Sequence, residues 1–247
     1  MPDMREIEIV NSTSTTSSGE LPISLRTSDD AANRRRTAPI VLFVYNRPLH
    51  TEKTLAALRG NELAGASDLF IYSDAPKNAA ASEAVARVRE LIRNVAGFRS
   101  VSVIEQEQNR GLASSIISGV THLCKDYGRA IVLEDDLVTS PYFLRYMNDA
   151  LDLYENTNEV MHVSGGTYPV GTFGSSSTYF LHLPLCWGWG TWARAWSAFE
   201  KDVAVMARFD SGMIRKFNFD NTYGYWDQLE LNVRGKINTW FVFWYAA

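Results

Sequence analysis

The chain has 247 residues, of which 46% are hydrophobic, and 28 acidic against 24 basic residues give it a formal net charge of −4. This length fits one large domain or two small ones, and the mild acidity argues against a general nucleic-acid binder, which usually carries a basic face. No apolar run reaches the roughly 18 residues that a membrane span needs, and the N-terminus lacks the apolar stretch of a signal peptide. The two cysteines, Cys124 and Cys186, form no metal-ligand pattern and fit a reducing compartment with at most one disulfide.

The first 37 residues are predicted to be a disordered tail. Residues 11–18 are all Ser, Thr or Asn, and residues 34–36 are three consecutive arginines. Such a segment cannot bury enough apolar surface to offset the entropy lost on ordering. Three positive charges bind anionic lipid only weakly, which favours a solvated linker over a membrane contact. The folded domain is therefore expected to span residues 38–247.

Strand and helix patterns alternate through the next hundred residues. Short apolar runs predict strands at 40–45, 69–72, 101–104 and 130–133. Side chains recur at helical spacing between them, in the series Thr51, Leu55, Leu58; Val85, Val88, Ile92, Val95; and Leu112, Ile116, Val120, Leu123. This order predicts an α/β fold with a mostly parallel central sheet, right-handed crossovers and helices on both faces.

The pattern is less regular after Pro141. A further helical face is formed by Phe143, Tyr146, Met147 and Ala150. Residues 160–164 are consistent with a returning strand, and the Gly- and Ser-rich residues 165–177 with a loop. The apolar residues 240–247 carry no helix stop signal, so the chain is expected to end within an element, as a truncated domain would.

Tryptophans are concentrated between residues 187 and 196. Trp189, Trp192 and Trp196 lie three and four residues apart, which favours packing along a helix. The Gly-flanked Trp187 and Trp189 are instead candidates for a surface that stacks on a sugar.

Three carboxylates, Glu134, Asp135 and Asp136, follow directly on the apolar run 130–133. Burying three unpaired carboxylates would be strongly unfavourable, so they are expected at the C-terminal edge of the sheet, where open α/β sheets bind ligands. Clustered carboxylate oxygens suit Mg²⁺ or Mn²⁺, which commonly use one or two carboxylates together with substrate phosphates. From this segment alone, a solvated acidic turn is the alternative.

Polar pairs also follow the other three predicted strands. They are Asn46-Arg47, Ser73-Asp74 and Asn109-Arg110. In a parallel sheet all four strand ends fall along one edge, and this convergence is better evidence for a ligand site than any single motif. None of the strand ends carries a G-x-G-x-x-G or P-loop sequence, which counts against a dinucleotide or NTPase site.

In this order, the segments resemble those of GT-A-fold glycosyltransferases, especially N-acetylglucosaminyltransferase I and bacterial sugar transferases. The similar segments are residues 41–48, Ser73-Asp74, residues 134–143, Gly188-Trp189 and Trp226-Asp227. The resemblance implies a GT-A-like fold and metal-dependent transfer of a sugar, with inversion, from a nucleotide diphosphate donor to an acceptor hydroxyl. The expected donor is UDP-linked, the acceptor a glycan or another hydroxyl compound, and the location cytoplasmic or peripheral to the inner membrane.

The resemblance also implies roles for individual residues. Asp136 would bind Mn²⁺ or Mg²⁺, and Asp227 would be the base that takes the proton of the acceptor hydroxyl. Glu134 and Asp135 would contact the ribose or the donor sugar, or reach the metal through water. The remaining nucleotide-sugar contacts would be Arg47 and Asp74 at the nucleoside, Arg110 near the phosphates, and Gly188 and Trp189 beside the donor sugar.

Two other classes stay open at this point. A nucleotidyltransferase that makes sugar nucleotides also uses an α/β sheet and acidic metal ligands, although residues 46–48 do not look like its Gly-rich phosphate loop. A non-catalytic carbohydrate-binding protein would account for the tryptophans but leaves the clustered carboxylates unexplained. For Asp227, a plain helix-surface carboxylate is the alternative to a base.

Overall fold

The computed structural model describes residues 37–167 and 178–247. The predicted tail, except for Thr37, and most of the predicted loop at 165–177 lie outside these residues. Residues 37–167 and 183–247 belong to one compact unit, and the fold is described for that unit.

The centre of the unit is a six-stranded sheet with the strand order β3-β2-β1-β4-β6-β5. The strands are β1 (Ile40–Val44), β2 (Asp68–Ser73), β3 (Ser100–Glu105), β4 (Arg129–Glu134), β5 (Val163–Ser164) and β6 (Trp189–Trp192). Strands β1 to β4 are mutually parallel, whereas β6 is antiparallel to both of its neighbours. The predicted α/β class with a mostly parallel sheet is confirmed.

Helices connect the strands in the predicted alternation. They are α1 (Pro48–Arg59), α2 (Ala79–Arg93), α3 (Leu112–Tyr127), α4 (Phe143–Leu153), α5 (Ala193–Trp196), α6 (Ser211–Phe217), α7 (Tyr225–Val233) and α8 (Phe241–Ala246). Short 3₁₀ segments lie at Ala64–Ala66 and Val203–Arg208. Local chemistry sets several ends: Pro48 is the first residue of α1, and Gly128, with φ of +78°, ends α3.

The core is thickest around β1, whose five residues are all buried because helices cover both sides of the sheet. Helix α3 lies on the face that carries Phe43 and Tyr72. A Cβ atom at Gly119 would come within 2.7 Å of the Phe43 ring, so glycine is needed for this close approach. Right-handed crossovers place α1 and α2 on the opposite face.

The helical interpretation of the tryptophan spacing is wrong for two of the three residues. Trp189 and Trp192 begin and end β6, and only Trp196 lies on a helix, the single turn of α5. A strand followed at once by a helical turn produced a spacing that imitates one helix. Pairing of β6 with β4 outweighs the local pattern.

Three smaller expectations also need correction. The returning strand is confined to Val163–Ser164 instead of residues 160–164. Leu112 and Tyr146, assigned to buried helical faces, are 52% and 38% exposed. Val95 lies beyond the end of α2. Except for Tyr146, which lies inside its series, each is at the end of its apolar pattern, where the sequence constrains the bounds least.

The C-terminal helices form a second apolar cluster that α8 links to the main core. The members of this cluster are Val205, Phe217, Tyr225, Leu229, Val242 and Phe243. Trp244, also on α8, belongs to the main core instead. In the described ranges, none of the helices combines the length and apolar character required to cross a membrane.

His162 ties α8 to the segment before β6. Its Nδ1 lies 3.1 Å from Trp244 Nε1, and its Nε2 lies 2.9 Å from the Leu185 carbonyl oxygen. The indole N–H can only donate and the carbonyl can only accept, so the imidazole must be neutral with its proton on Nε2. Burial lowers the pKa of His162 to about 4, consistent with this neutral form.

Candidate functional site

The candidate site lies where the strand order of the sheet reverses. Strand β1 is followed outward on one side by β2 and β3, and β4 pairs with its other side. Open α/β sheets bind ligands in the crevice outside the carboxyl ends of the strands at such a switch point. Arg47 follows β1 and the acidic segment Glu134–Asp136 follows β4, so the predicted groups meet at this position.

Arg47 joins two of the three carboxylates. Its guanidinium lies 2.5 Å from Asp135 Oδ1 and 3.0 Å from Asp136 Oδ2. The Asp135 side chain is only 3% exposed and also accepts a hydrogen bond from the Tyr45 backbone N–H at 3.3 Å. The Thr54 hydroxyl donates to the Asp135 carbonyl oxygen at 2.9 Å. Asp135 is therefore a fixed anchor, whereas Asp136, with a side chain 43% exposed, is the open carboxylate.

Glu134 is the acid whose proton affinity is most changed. Burial, followed by the charges of Asp136 and Asp135, raises the pKa of Glu134 from about 4.5 to about 7, and Arg47 only partly opposes this. Burial also raises the pKa of Asp135, against the opposing effects of Arg47 and the Tyr45 amide. Near neutral pH, Glu134 is therefore protonated in a substantial fraction of the molecules.

The proton on Glu134 predicts a pH-dependent stability difference. The folded state holds this proton between about pH 4.5 and pH 7 and the unfolded state releases it, so the stabilising contribution is full below 4.5 and is lost as pH rises through 7. Glu134→Gln cannot lose the proton. We expect its free energy of unfolding to gain about 2 kcal/mol relative to the wild type across this interval, after allowance for partial solvent exposure.

Urea unfolding of both metal-free proteins from about pH 5 to about pH 8 measures this difference. His162, whose pKa is lowered, contributes a slope of opposite sign, but it is present in both proteins and cancels. A difference that is constant across the pH range would contradict the raised pKa.

Asp74 holds the neighbouring loop rather than presenting free acceptors. Its Oδ1 accepts the backbone N–H groups of Ala75 and Arg110, both at 2.9 Å. Its Oδ2 accepts the Gly111 N–H at 2.8 Å and the Asn109 side-chain amide at 3.0 Å. All of its usual acceptor positions are thereby occupied, so the geometry does not support the predicted nucleoside contact, and Asp74 instead positions the start of α3.

Loss of this carboxylate is expected to destabilise the whole unit. Asp74→Ala would leave several backbone donors without their acceptor, and hydrogen bonds to charged groups contribute about 1.5–3 kcal/mol each, without full additivity. We expect a loss of about 3 kcal/mol, or about 6–12 °C in the melting temperature for a chain of this size. Glu83→Ala, which removes an exposed acid on α2, is the matched control. Equal melting temperatures for Asp74→Ala and this control would refute the positioning role.

A second loop, residues 185–188, leads into β6, whose antiparallel pairing with β4 puts this loop at the end of β4 that carries the acidic segment. Burial, and after it the charge of Glu134, raises the pKa of the Cys186 thiol to about 11. The Gly188 carbonyl accepts the Gly165 N–H at 2.7 Å, and Gly188 has φ of +67°. Glycine at 188 thus serves the backbone conformation of this loop.

The Trp189 ring is not available for a stacked sugar. The side chain is 1% exposed, and its ring packs between His162 and Trp240, each with a centroid distance of 5.1 Å. This geometry removes Trp189 from the predicted ligand contacts because a buried indole presents no face to a ligand. Trp187, 47% exposed, is the tryptophan of this loop that reaches solvent.

The carboxylate oxygens at the switch point are suited to a hard divalent cation that takes most of its ligands from molecules other than the protein. The segment offers carboxylate oxygens, of which those of Asp136 are the accessible ones. Among residues 37–167 and 178–247, no group of three or more His, Cys, Asp or Glu side chains is arranged to hold a metal. A cation at this position would therefore need further ligands, which Mg²⁺ and Mn²⁺ commonly take from substrate phosphates and water.

Arg110 and Asp227 occupy different settings. Arg110 lies exposed in the loop held by Asp74, at the same sheet edge. Asp227 is exposed in the first turn of α7, in the C-terminal cluster, with its carboxylate folded over Gly224. No hydrogen bond or ion pair in the described part of the chain joins Asp227 to the acidic segment. A carboxylate in the first turn of a helix also interacts favourably with the helix dipole, which would account for Asp227 without a catalytic role. The role of Asp227 as a base therefore stays a prediction.

The sequence alone did not identify two contributors to the site. Tyr45 donates its backbone N–H to Asp135. Cys186 belongs to a loop about fifty residues beyond the acidic segment, whose charges help to raise the pKa of its thiol. Asn109 was noted at a strand end, but its hydrogen bond to Asp74 was not predicted.

No protein-family model and no curated protein sequence matches the chain. Among solved structures it is similar to the mannosyltransferase PcManGT from Pyrobaculum calidifontis in complex with GDP-Man and Mn²⁺, with 12% identity, 70% of this chain and 46% of that chain covered, and a TM-score of 0.43. It is also similar to S. aureus TarS, with 13% identity, coverage of 47% and 20%, and a TM-score of 0.36. The chain spans less than half the length of both structures.

Proposed function

We propose that this chain is a glycosyltransferase that moves a sugar from a nucleotide diphosphate donor, UDP-linked, to an acceptor hydroxyl with inversion. Residues 38–247 would form the catalytic domain. The observation that carries the proposal is the grouping of Arg47, Asp135 and Asp136 at the switch point between β1 and β4. The order of segments that resembles GT-A-fold glycosyltransferases supports the same conclusion. The location would be cytoplasmic, as expected from two cysteines that suit a reducing compartment and that are both free thiols.

Asp136 would hold Mn²⁺ or Mg²⁺ together with the diphosphate. When bound, the cation would neutralise charge on the departing nucleoside diphosphate. Asp135, fixed by Tyr45 and Arg47, would keep the acidic segment in place. Arg47 and Arg110 would contribute positive charge at the same sheet edge, where the phosphates carry negative charge.

Asp227 would act as the general base that takes the acceptor proton, since an inverting transfer needs one such group on the side of attack. Asp74 would act indirectly, because it holds the loop that carries Arg110. Glu134, half-buried and partly protonated near pH 7, would lie beside the ribose or the donor sugar.

A ligand screen tests the proposed function. Calorimetry would compare UDP-glucose, UDP-N-acetylglucosamine and GDP-mannose, each with Mn²⁺ and with EDTA. We expect one nucleotide sugar to bind in a metal-dependent manner and to be consumed when acceptor is present. Release of pyrophosphate from a nucleoside triphosphate and a sugar phosphate would instead identify a nucleotidyltransferase. Glycan binding that needs neither nucleotide nor metal would identify a carbohydrate-binding protein.

A further inference from the structure

Trp187 differs from the other tryptophans in its exposure. The chain has seven tryptophans, and five of them are no more than 5% exposed: Trp189, Trp192, Trp196, Trp240 and Trp244. Trp226 is half-buried, whereas Trp187 is 47% exposed. An indole offers a broad flat apolar surface on which a ligand can pack, and nearly half of Trp187 is accessible to one.

The backbone around Trp187 is held on both sides. On one side, the Leu185 carbonyl oxygen lies 2.9 Å from His162 Nε2. On the other, the Gly188 carbonyl accepts the Gly165 N–H at 2.7 Å, and Trp189 continues directly into β6. The exposed indole is therefore presented from an anchored segment, as a preorganised binding surface requires.

The same segment lies beside the acidic site. Strand β6 runs antiparallel to β4 with Trp189 paired to Val132, so the residues just before Trp189 lie at the end of β4 that carries Glu134. A Cβ atom at Gly188 would lie 3.0 Å from the ring of Phe143, which begins the helix after the acidic segment. Strand register and packing thus both bring the loop to the candidate site.

We propose that Trp187 is a stacking platform for the pyranose ring of a sugar substrate, an inference that rests on the proposed function. One face of a pyranose carries mainly C–H bonds and packs on an indole, while its hydroxyl groups remain at the rim. The carboxylates of the acidic segment are suited to accept hydrogen bonds from those hydroxyls. The ring would belong either to the donor sugar or to the acceptor, and the experiment distinguishes the two sources.

Acrylamide quenching of tryptophan fluorescence reports on this residue directly. With five indoles buried, quenching should come mainly from Trp187 and, to a smaller extent, from Trp226. A sugar stacked on Trp187 should lower the quenching constant of the wild type. Trp187→Phe should abolish that change, and Trp226→Phe, the matched control, should retain it.

The probes are UDP, UDP-glucose, UDP-N-acetylglucosamine and GDP-mannose, each with Mn²⁺, and the free sugars lactose and chitobiose. Shielding by a nucleotide sugar but not by UDP assigns the platform to the donor, and shielding by a free sugar assigns it to the acceptor. Trp187→Ala should weaken binding of the shielding ligand about tenfold, and Trp187→Phe should restore part of the loss. Melting curves would show that both variants are folded.

Four other outcomes test the inference and the proposed function separately. Equal shielding by UDP and by the nucleotide sugars would mean that the base, and not a sugar, covers Trp187. Nucleotide-sugar binding in calorimetry with neither shielding nor a loss in Trp187→Ala would reject the platform and leave the proposed function standing. Free-sugar shielding without any nucleotide-sugar binding would support the platform and reject the transferase. Absence of all binding would reject both.

Discussion

Asp136→Ala is expected to abolish the Mn²⁺-dependent part of nucleotide-sugar binding. Asp136 is the accessible carboxylate of the acidic segment, so its oxygens are the ones that a cation could reach. Fold stability should change little, because the side chain is 43% exposed and Arg47 keeps its ion pair with the buried Asp135. Calorimetric titrations with and without Mn²⁺ measure the effect.

The control for Asp136→Ala is Asp126→Ala. The Asp126 side chain is 48% exposed, similar to that of Asp136, but it lies near the C-terminal end of α3 and pairs with His122. This variant should bind the donor normally. Metal-dependent binding that survives in Asp136→Ala would remove Asp136 from the metal site, and loss in both variants would indicate a nonspecific charge effect.

Asp227→Asn is expected to lower turnover by about 10²–10⁴-fold while donor affinity stays unchanged. The amide is nearly the same size as the carboxylate but cannot accept the acceptor proton, and general-base catalysis typically contributes a factor of this order. The donor would be bound by groups on the sheet edge, remote in sequence from α7. The measurement is kcat with the donor that the screen identifies, together with its Kd.

Glu230→Gln is the matched control on the same helix. Glu230 lies one turn beyond Asp227 and pairs with Arg234 at 3.1 Å on an exposed surface, so its loss should affect neither kcat nor Kd. Near-normal turnover in Asp227→Asn would end its assignment as the base. Equal losses in the two variants would show that α7 is only structurally perturbed.

The sheet and its ligand edge could be predicted because their signals are local. Apolar runs mark β1 and β4, and the polar residues at their ends must leave the core, so Arg47 and Asp136 meet once the alternation is recognised. Asp74 was placed correctly at this edge. Its full set of hydrogen-bond donors could not be predicted, since three of the four come from a loop more than thirty residues away, two of them as backbone groups.

The aromatic segment was harder to interpret for a related reason. The burial of Trp189 depends on His162 and Trp240, which approach it from distant parts of the chain. Hydropathy cannot distinguish this indole from the exposed one at Trp187, because both are flanked by Gly188. Trp187 lies before the start of β6, and the left-handed backbone at Gly188 (φ +67°) interrupts the extended geometry that would place residues 187 and 189 on one face.

His162 connects the last helix of the chain to the segment beside the acidic site. Its Nδ1 accepts a hydrogen bond from the Trp244 indole N–H in α8, and its Nε2–H donates one to the Leu185 carbonyl oxygen, just before Cys186 and Trp187. These two hydrogen bonds, together with the packing of α7 on α8, connect the helix that carries Asp227 to the segment that carries Trp187. The imidazole is therefore a structural link between the two parts of the chain proposed to act on the acceptor and on the sugar.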